Sequence, residues 1–258
     1  MTPRDDYAFV GDPPMFRPPA SEVHVSCTFT WDIAEAHRLA NAWNRYYPTF
    51  IGGCAARSPA DEFTPGMYVR QGIAFTSRGC NNYCPWCFVP EREGKIREIP
   101  IRIGNEIQDN NLLQCSRTHI AKVFDMLRSQ RDIRFSGGLE ARLITSSIAD
   151  DIRSLKLNQL FTACDAPGAL KPLERARRLL TGFNRNQLRC YVLVGFGNDT
   201  VSQAEARLEQ VWELGFMPFV QLYQPSNRID YSKEWHTLAR TWSRPAAMVA
   251  LHREIANG

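Results

Sequence analysis

The sequence is 258 residues long with 44% hydrophobic and 22% charged residues, which excludes a wholly disordered or fibrous chain and suits one large α/β domain or a core domain with a small appendage. The formal net charge is +4, yet no lysine/arginine block of phosphate-tracking density occurs, so nucleic acid is not indicated; Arg175, Arg177 and Arg178 read as a solvated helix face. Eight cysteines without an apolar leader, and no run near the roughly 18 apolar residues of a membrane span, lead to the expectation of a soluble, cytoplasmic chain with no membrane partner and with free or metal-bound thiols.

Residues 1–21 carry Pro3, Pro13, Pro14, Pro18 and Pro19 with little periodicity, the pattern of an extended, partly ordered arm. Val23, Val25, Cys27 and Phe29 alternate with polar neighbours, which is strand spacing over 23–30. Asp32 with Glu35 then makes a capping-box-like start to a helix whose Ile33, Ala36, Ala40 and Trp43 share one face. Residues 49–51 read as a second short strand ending at Gly52 and Gly53.

From Gly72 onward strand and helix signals alternate, the pattern of a parallel sheet built from βα units. Candidate strands are 73–77, 106–109, 133–136, 159–164, 189–195 and 218–223. Ser116 caps a helix bearing Ile120, Val123, Phe124 and Leu127, and Ser146 or Ser147 begins one with Ile148, Ile152 and Leu155. Pro172 suits the first turn of a third, with Gly182 after its end. Thr200 with Gln203 is a capping box for a fourth, closed by Gly215. Two further helical stretches, around Trp235 and over 248–255, follow Asn227. The chain therefore divides into an arm and β-α-β segment (1–71), a core (72–226) and a helical extension (227–258). Cys27, Cys54, Cys115, Cys164 and Cys190 lie in or beside apolar segments and are expected to pack as small hydrophobes.

After the first core strand runs Arg78-Gly79-Cys80-Asn81-Asn82-Tyr83-Cys84-Pro85-Trp86-Cys87-Phe88, a C-x3-C-x2-C spacing on a loop. Three cysteine sulfurs suit a four-iron cluster with one iron open to a substrate or cosubstrate. No histidine occurs between His37 and His119, and the nearest other cysteines are Cys54 and Cys115, so no local fourth ligand is at hand. Zinc is the competing reading, although structural zinc is nearly always four-coordinate, usually from paired ligand clusters.

In parallel α/β sheets ligands collect beyond the carboxyl ends of the strands. Those ends carry Asp109-Asn110-Asn111, Gly137-Gly138-Leu139-Glu140-Ala141-Arg142, Asp165, Gly195-Phe196-Gly197 and Gln221-Leu222-Tyr223-Gln224-Pro225. Glu140 and Arg142 suit ribose hydroxyls and a carboxylate, or equally a surface ion pair. Asp165 also suits an ordinary turn, as do Gly195 and Gly197.

At the cysteine loop the chain resembles the radical S-adenosylmethionine superfamily, whose signature is this spacing with an aromatic, here Trp86, just before the last cysteine. The resemblance implies a partial (βα)6 barrel, with a [4Fe-4S] cluster on Cys80, Cys84 and Cys87 and S-adenosyl-L-methionine chelating the open iron. It also implies an external flavodoxin- or ferredoxin-type electron donor, and reductive cleavage to a 5′-deoxyadenosyl radical that abstracts hydrogen from an unknown substrate. By strand order it places the methionyl amino group at Asp109 and its neighbour Asn110; it leaves Glu140 and Arg142 for ribose and carboxylate, implies that the strand end at Gly195 and Phe196 contacts adenine, and makes Trp86 a further cofactor-binding candidate. The phrases Phe29-Thr30-Trp31-Asp32 and Ile51-Gly52-Gly53 look like the last part of the cobalamin-binding domain that precedes many such cores. The D-x-H-x-x-G phrase is absent and His24 sits within a strand, so cobalamin is not expected. A reading from another class, a non-catalytic iron-sulfur or zinc module for binding or redox sensing, leaves the strand-end polar groups unexplained. No second cysteine cluster is evident, which disfavours reactions needing an auxiliary cluster.

Overall fold

The computed structural model describes residues 2–56 and 68–257, and the chain falls into two units. One comprises Met1–Gln71, Glu91–Glu93 and Gln224–Ile229; the other comprises Gly72–Pro90, Gly94–Tyr223 and Asp230–Gly258.

In the first unit, strands β1 (Val23–Ser26) and β2 (Thr49–Gly52) pair in parallel, joined by helix α1 (Ile33–Trp43). Ala36, Ala40 and Trp43 form the buried face of α1. The proline-rich arm lies along this helix: the Trp43 indole donates to the Gly11 carbonyl, the Tyr47 hydroxyl to that of Pro18, and Arg38 pairs with Asp12. Two local expectations need correction. The first strand stops at Ser26 rather than residue 30, because its partner β2 ends at Gly52 and residues 30–32 turn into a single 3-10 turn. No capping box opens α1. That turn puts Asp32 at φ −96°, ψ 3°, outside the extended geometry a cap requires, and the Glu35 carboxylate is held by Arg38.

The second unit is an α/β structure built on six parallel strands flanked by helices. Strand β3 (Ile73–Ala74) leads into β4 (Ser77–Arg78), then the short helix α2 (Val89–Glu93), and β5 (Arg97–Glu98), which pairs antiparallel with β4. Next come β6 (Glu106–Ile107), α3 (Arg117–Arg128), β7 (Ile133–Phe135), α4 (Ser146–Arg153), β8 (Leu157–Ala163), α5 (Leu170–Leu179) and β9 (Leu188–Val194). Helix α6 (Val201–Glu213), β10 (Met217–Leu222), α7 (Lys233–Trp242) and α8 (Pro245–Asn257) complete the chain. The sheet order is β10-β9-β8-β7-β6-β3, with every neighbouring pair parallel.

Alternation along β9 sends Leu188, Cys190, Val192 and Val194 into the core while Arg189, Tyr191 and Leu193 turn to the other face. Against the core face pack Val123, Phe124 and Leu127 of α3, Leu173 and Ala176 of α5, and Ala204, Leu208 and Val211 of α6. Each fully buried Leu, Val or Phe contributes about 1.5–3 kcal/mol relative to exposure. The helix ends follow their residues: Ser116 accepts from the His119 N–H, Thr145 from that of Ile148, and Thr200 with Gln203 closes a full capping box. Helix α7 packs against β10, the edge strand, and Trp242 is fully buried. No described helix is long and apolar enough to cross a membrane.

The first core strand is not the single run over 73–77 that its apolar residues suggest. After Ala74 the chain leaves the sheet, because the Thr76 N–H is taken by a side chain, that of Asp109, instead of a ladder carbonyl. The three-cysteine segment springs from this departure.

Candidate functional site

The loop between β4 and β5 carries Cys80, Cys84 and Cys87. It is closed at its base by the Cys80 N–H donating to the Gly94 carbonyl, 3.1 Å, and turned internally by the Cys87 N–H on the Cys84 carbonyl, 3.0 Å. Gly79 permits the closure: its φ is +80°, and a Cβ there would stand 2.2 Å from the Lys95 carbonyl oxygen. Cys87 is exposed, while Cys80 and Cys84 are half-buried. Burial, then the neighbouring Cys87 and Cys80, pushes the Cys84 thiol up.

Three consecutive residues beyond β6 fasten this loop. Asp109 is 1% exposed and accepts from the Thr76 N–H at 2.6 Å, the Thr76 hydroxyl at 2.5 Å and the Ser77 hydroxyl at 2.8 Å. Asn110 accepts from the Gly79 N–H at 3.0 Å. Asn111 donates through Nδ2 to Glu140 at 2.7 Å and to the Cys80 sulfur at 3.7 Å. The placement of Asp109 corrects the expectation that it meets an amino group: both oxygens are engaged inside the protein, and burial, opposed by these bonds, pushes its carboxyl up. Asn110 likewise spends its carbonyl on the loop backbone. Gly137 lets the chain pass close to Asp109: a Cβ there would lie 2.2 Å from the Asp109 carbonyl oxygen.

Glu140, which takes the Asn111 amide, also meets the loop directly. Its carboxylate accepts from Asn82 at 3.0 Å and from Gln114 at 3.3 Å, and it is paired with Arg142, whose guanidinium also donates to Asn82 at 2.7 Å. The Glu140–Arg142 ion pair is therefore present, and it grips Asn82, the middle one of the three residues between the first two cysteines. Burial works against the Glu140 charge, but hydrogen bonds from Asn111, Asn82 and Arg142 outweigh it and hold the carboxyl below its ordinary range. A carboxylate held low stabilises the fold above the ordinary glutamate pKa of about 4.3, and that contribution is lost as pH falls through the folded value. Urea midpoints for wild type and Glu140→Gln should accordingly differ at neutral pH and converge on acidification. A gap that persists well below the glutamate range would show that the charge is not what stabilises.

On the other flank of the loop, Trp86 packs edge-on against Phe196, centroids 5.4 Å apart, and Phe196 against Tyr223 at 4.9 Å. Asp165 accepts from the Leu193 N–H at 3.0 Å; burial pushes its carboxyl up, against bonds that include one from Trp86. Gly195, at φ +77°, donates its N–H to Asp199 and receives the Tyr231 hydroxyl on its carbonyl. Trp86, Asp165 and Phe196 line a cavity of about 450 Å³ with Asp199, Gln203 and Arg207. A larger cavity of about 530 Å³, lined by residues of α6 and α7, contains no residue of the loop. Arg207 pairs with Asp199 at 2.7 Å and donates to the Leu193 carbonyl, while its Nε finds no partner among the described residues.

Residue reasoning missed Asn82, Asn111 as a sulfur donor, Gln114, Asp199 and Arg207. Asn82 lies inside the signature and Asp199 beside the Thr200 cap, so position alone pointed at those two; Gln114 and Arg207 carry no local signal. Cys54, expected to pack as a small hydrophobe, is exposed in the turn after Gly53. The others are buried or half-buried: burial pushes Cys115 up to about 11 and Cys164 up to about 12.

The donor set fits an iron-sulfur cluster. Three thiols share one braced loop, one sulfur already accepts N–H donors, and the buried Oδ1 of Asn111 beside it finds no partner among the described residues. Among the described residues no three His, Cys, Asp or Glu side chains are gathered closely enough to hold a single metal ion. No protein-family model matches the chain, and no curated protein matches it.

Proposed function

We propose that the chain is a radical S-adenosylmethionine enzyme, holding a [4Fe-4S] cluster on Cys80, Cys84 and Cys87 and acting by hydrogen abstraction on a substrate yet to be identified. The observation that carries the reading is the convergence on one three-cysteine loop of polar and aromatic groups from the ends of β6, β7, β8 and β9. A purely structural metal loop would need the fastening by Asp109 and Asn110. It would not need Glu140 and Asn111 turned toward the cysteines on one side, or a cavity walled by Trp86 and Phe196 on the other.

When bound, the cluster supplies the electron that cleaves S-adenosylmethionine. Within this reading Trp86 and Phe196 offer the adenine an apolar wall, while the Gly195 N–H and carbonyl are already taken by Asp199 and Tyr231. The Asn111 Oδ1 and Glu140, rather than Asp109, are the acceptors for the methionyl amino group; Arg142 is the cation for its carboxylate. We read the sheet as an open (βα)6 barrel. The Tyr191 hydroxyl reaches the Ser136 carbonyl at 2.9 Å across the intervening β8, and Phe161, Tyr191 and Phe219 pack together, as on an inward-curving face. We read β1-α1-β2 as the remnant of a cobalamin-type domain, without the cobalamin. The electron would come from a flavodoxin- or ferredoxin-type donor in the cytoplasm.

The test is anaerobic incubation of reconstituted protein with dithionite and S-adenosylmethionine. Slow release of 5′-deoxyadenosine is expected from wild type and none from Cys84→Ala. Protein that holds one tightly bound zinc, refuses iron and releases no nucleoside is instead a binding or sensing module.

A further inference from the structure

The sulfur of Cys80 accepts two N–H donors, the backbone amide of Asn82 at 3.4 Å and the side-chain amide of Asn111 at 3.7 Å. The first belongs to the loop and would accompany any turn of this shape. The second comes from a neighbouring strand end and from a residue only 5% exposed. An asparagine Nδ2 has two protons. Glu140 takes one at 2.7 Å, which fixes the amide plane and leaves the other for sulfur. Placing so polar a side chain in a buried position is costly unless its groups are used.

Hydrogen bonds to the sulfurs are among the levers that set the potential of an iron-sulfur cluster, because a donor favours the state with more electron density on sulfur. We infer that Asn111 tunes the reduction potential of a cluster on this loop, its N–H···S bond to Cys80 stabilising the reduced state. The inference rests on the cluster reading above. The couple is a one-electron one: the reductant gives an electron to the cluster, and no proton or group is transferred.

Wild type and Asn111→Leu, which keeps the approximate volume and lacks the donor, are reconstituted with iron and sulfide. They are poised with dithionite and mediator dyes, and the reduced cluster is counted by EPR. At a fixed potential the reduced-to-oxidised ratio should fall about tenfold in the variant, a midpoint shift of about 59 mV for a one-electron couple, with iron content unchanged. A ratio that stays level or rises, with iron retained, overturns the inference and leaves the cluster reading standing. Should the variant lose its iron, wild type decides alone. With asparagine carrying the heavy nitrogen isotope in its side-chain amide, pulsed EPR of the reduced cluster should detect a nitrogen coupling, and its absence overturns the inference. Wild-type protein that takes up no iron overturns both.

Discussion

Wild-type protein reconstituted anaerobically should hold about four irons per chain, and alanine at Cys80, Cys84 or Cys87 should bring that to background. The expectation of total rather than partial loss follows from ligand number. With only three thiolates offered, removing one leaves two, and the half-buried loop presents no nearby cysteine to replace it, since Cys115 is tied to Ser77 and pushed up to about 11 by burial. The fold should survive each substitution, because the loop is fastened by Asp109 and Asn110 rather than by the sulfurs. Thermal unfolding of the iron-free variants should therefore match that of iron-free wild type. Alanine at Cys164 or Cys190 is the contrast: both thiols are fully buried within the sheet's core, so iron content should not change while stability falls. Iron retained in any of the three loop variants would remove that cysteine from the ligand set.

Asp109→Ala should cost about 3–5 kcal/mol of stability and take the iron with it. A hydrogen bond to a charged acceptor contributes about 1.5–3 kcal/mol, and three converge on this carboxylate. Removing the acceptor leaves the Thr76 N–H and the hydroxyls of Thr76 and Ser77 buried without it, and each buried donor left unsatisfied costs about 1–3 kcal/mol. Burial outweighs these bonds and pushes the carboxyl up, which argues against simply summing the three. Urea unfolding and iron per chain measure the two consequences together. A variant as stable as wild type that keeps its iron and loses only affinity for S-adenosylmethionine would return Asp109 to the role its strand-end position first suggested.

Short-range signals in the chain translate directly into structure. Ser116, Thr200 with Gln203, and Gly215 act within one helical turn, and the strand signals over 189–195 and 218–223 place β9 and β10 within a residue. Asp32 with Glu35 shows how a local signal fails: the same letters as a capping box are overridden when Arg38, one turn on, takes the glutamate. The cysteine loop was legible because its three cysteines fall within eight consecutive residues. Its supports were not, since Asp109 with Thr76 and Asn111 with Cys80 meet across the sheet, where neither periodicity nor composition leaves a trace. Strand order drew attention to residues 109–111 as a group, and only geometry separated the two that brace from the one whose amide faces sulfur.

The ties from 109–111 back to 76–80 span 31 to 33 residues. Bringing together chain ends that far apart carries a loop-closure entropy that the ties themselves offset only after β3 and β6 have paired. The expected order of events is that the sheet forms, the neighbouring strand end then braces the cysteine loop, and the proposed cluster would enter a loop already shaped. This is the reverse of a zinc finger, whose fold waits for its ion. Under the proposed function iron loading would be a property of the folded chain, so the iron-free protein should be a folded recipient, and delivery of iron and sulfide, rather than folding, should set how much cluster it holds.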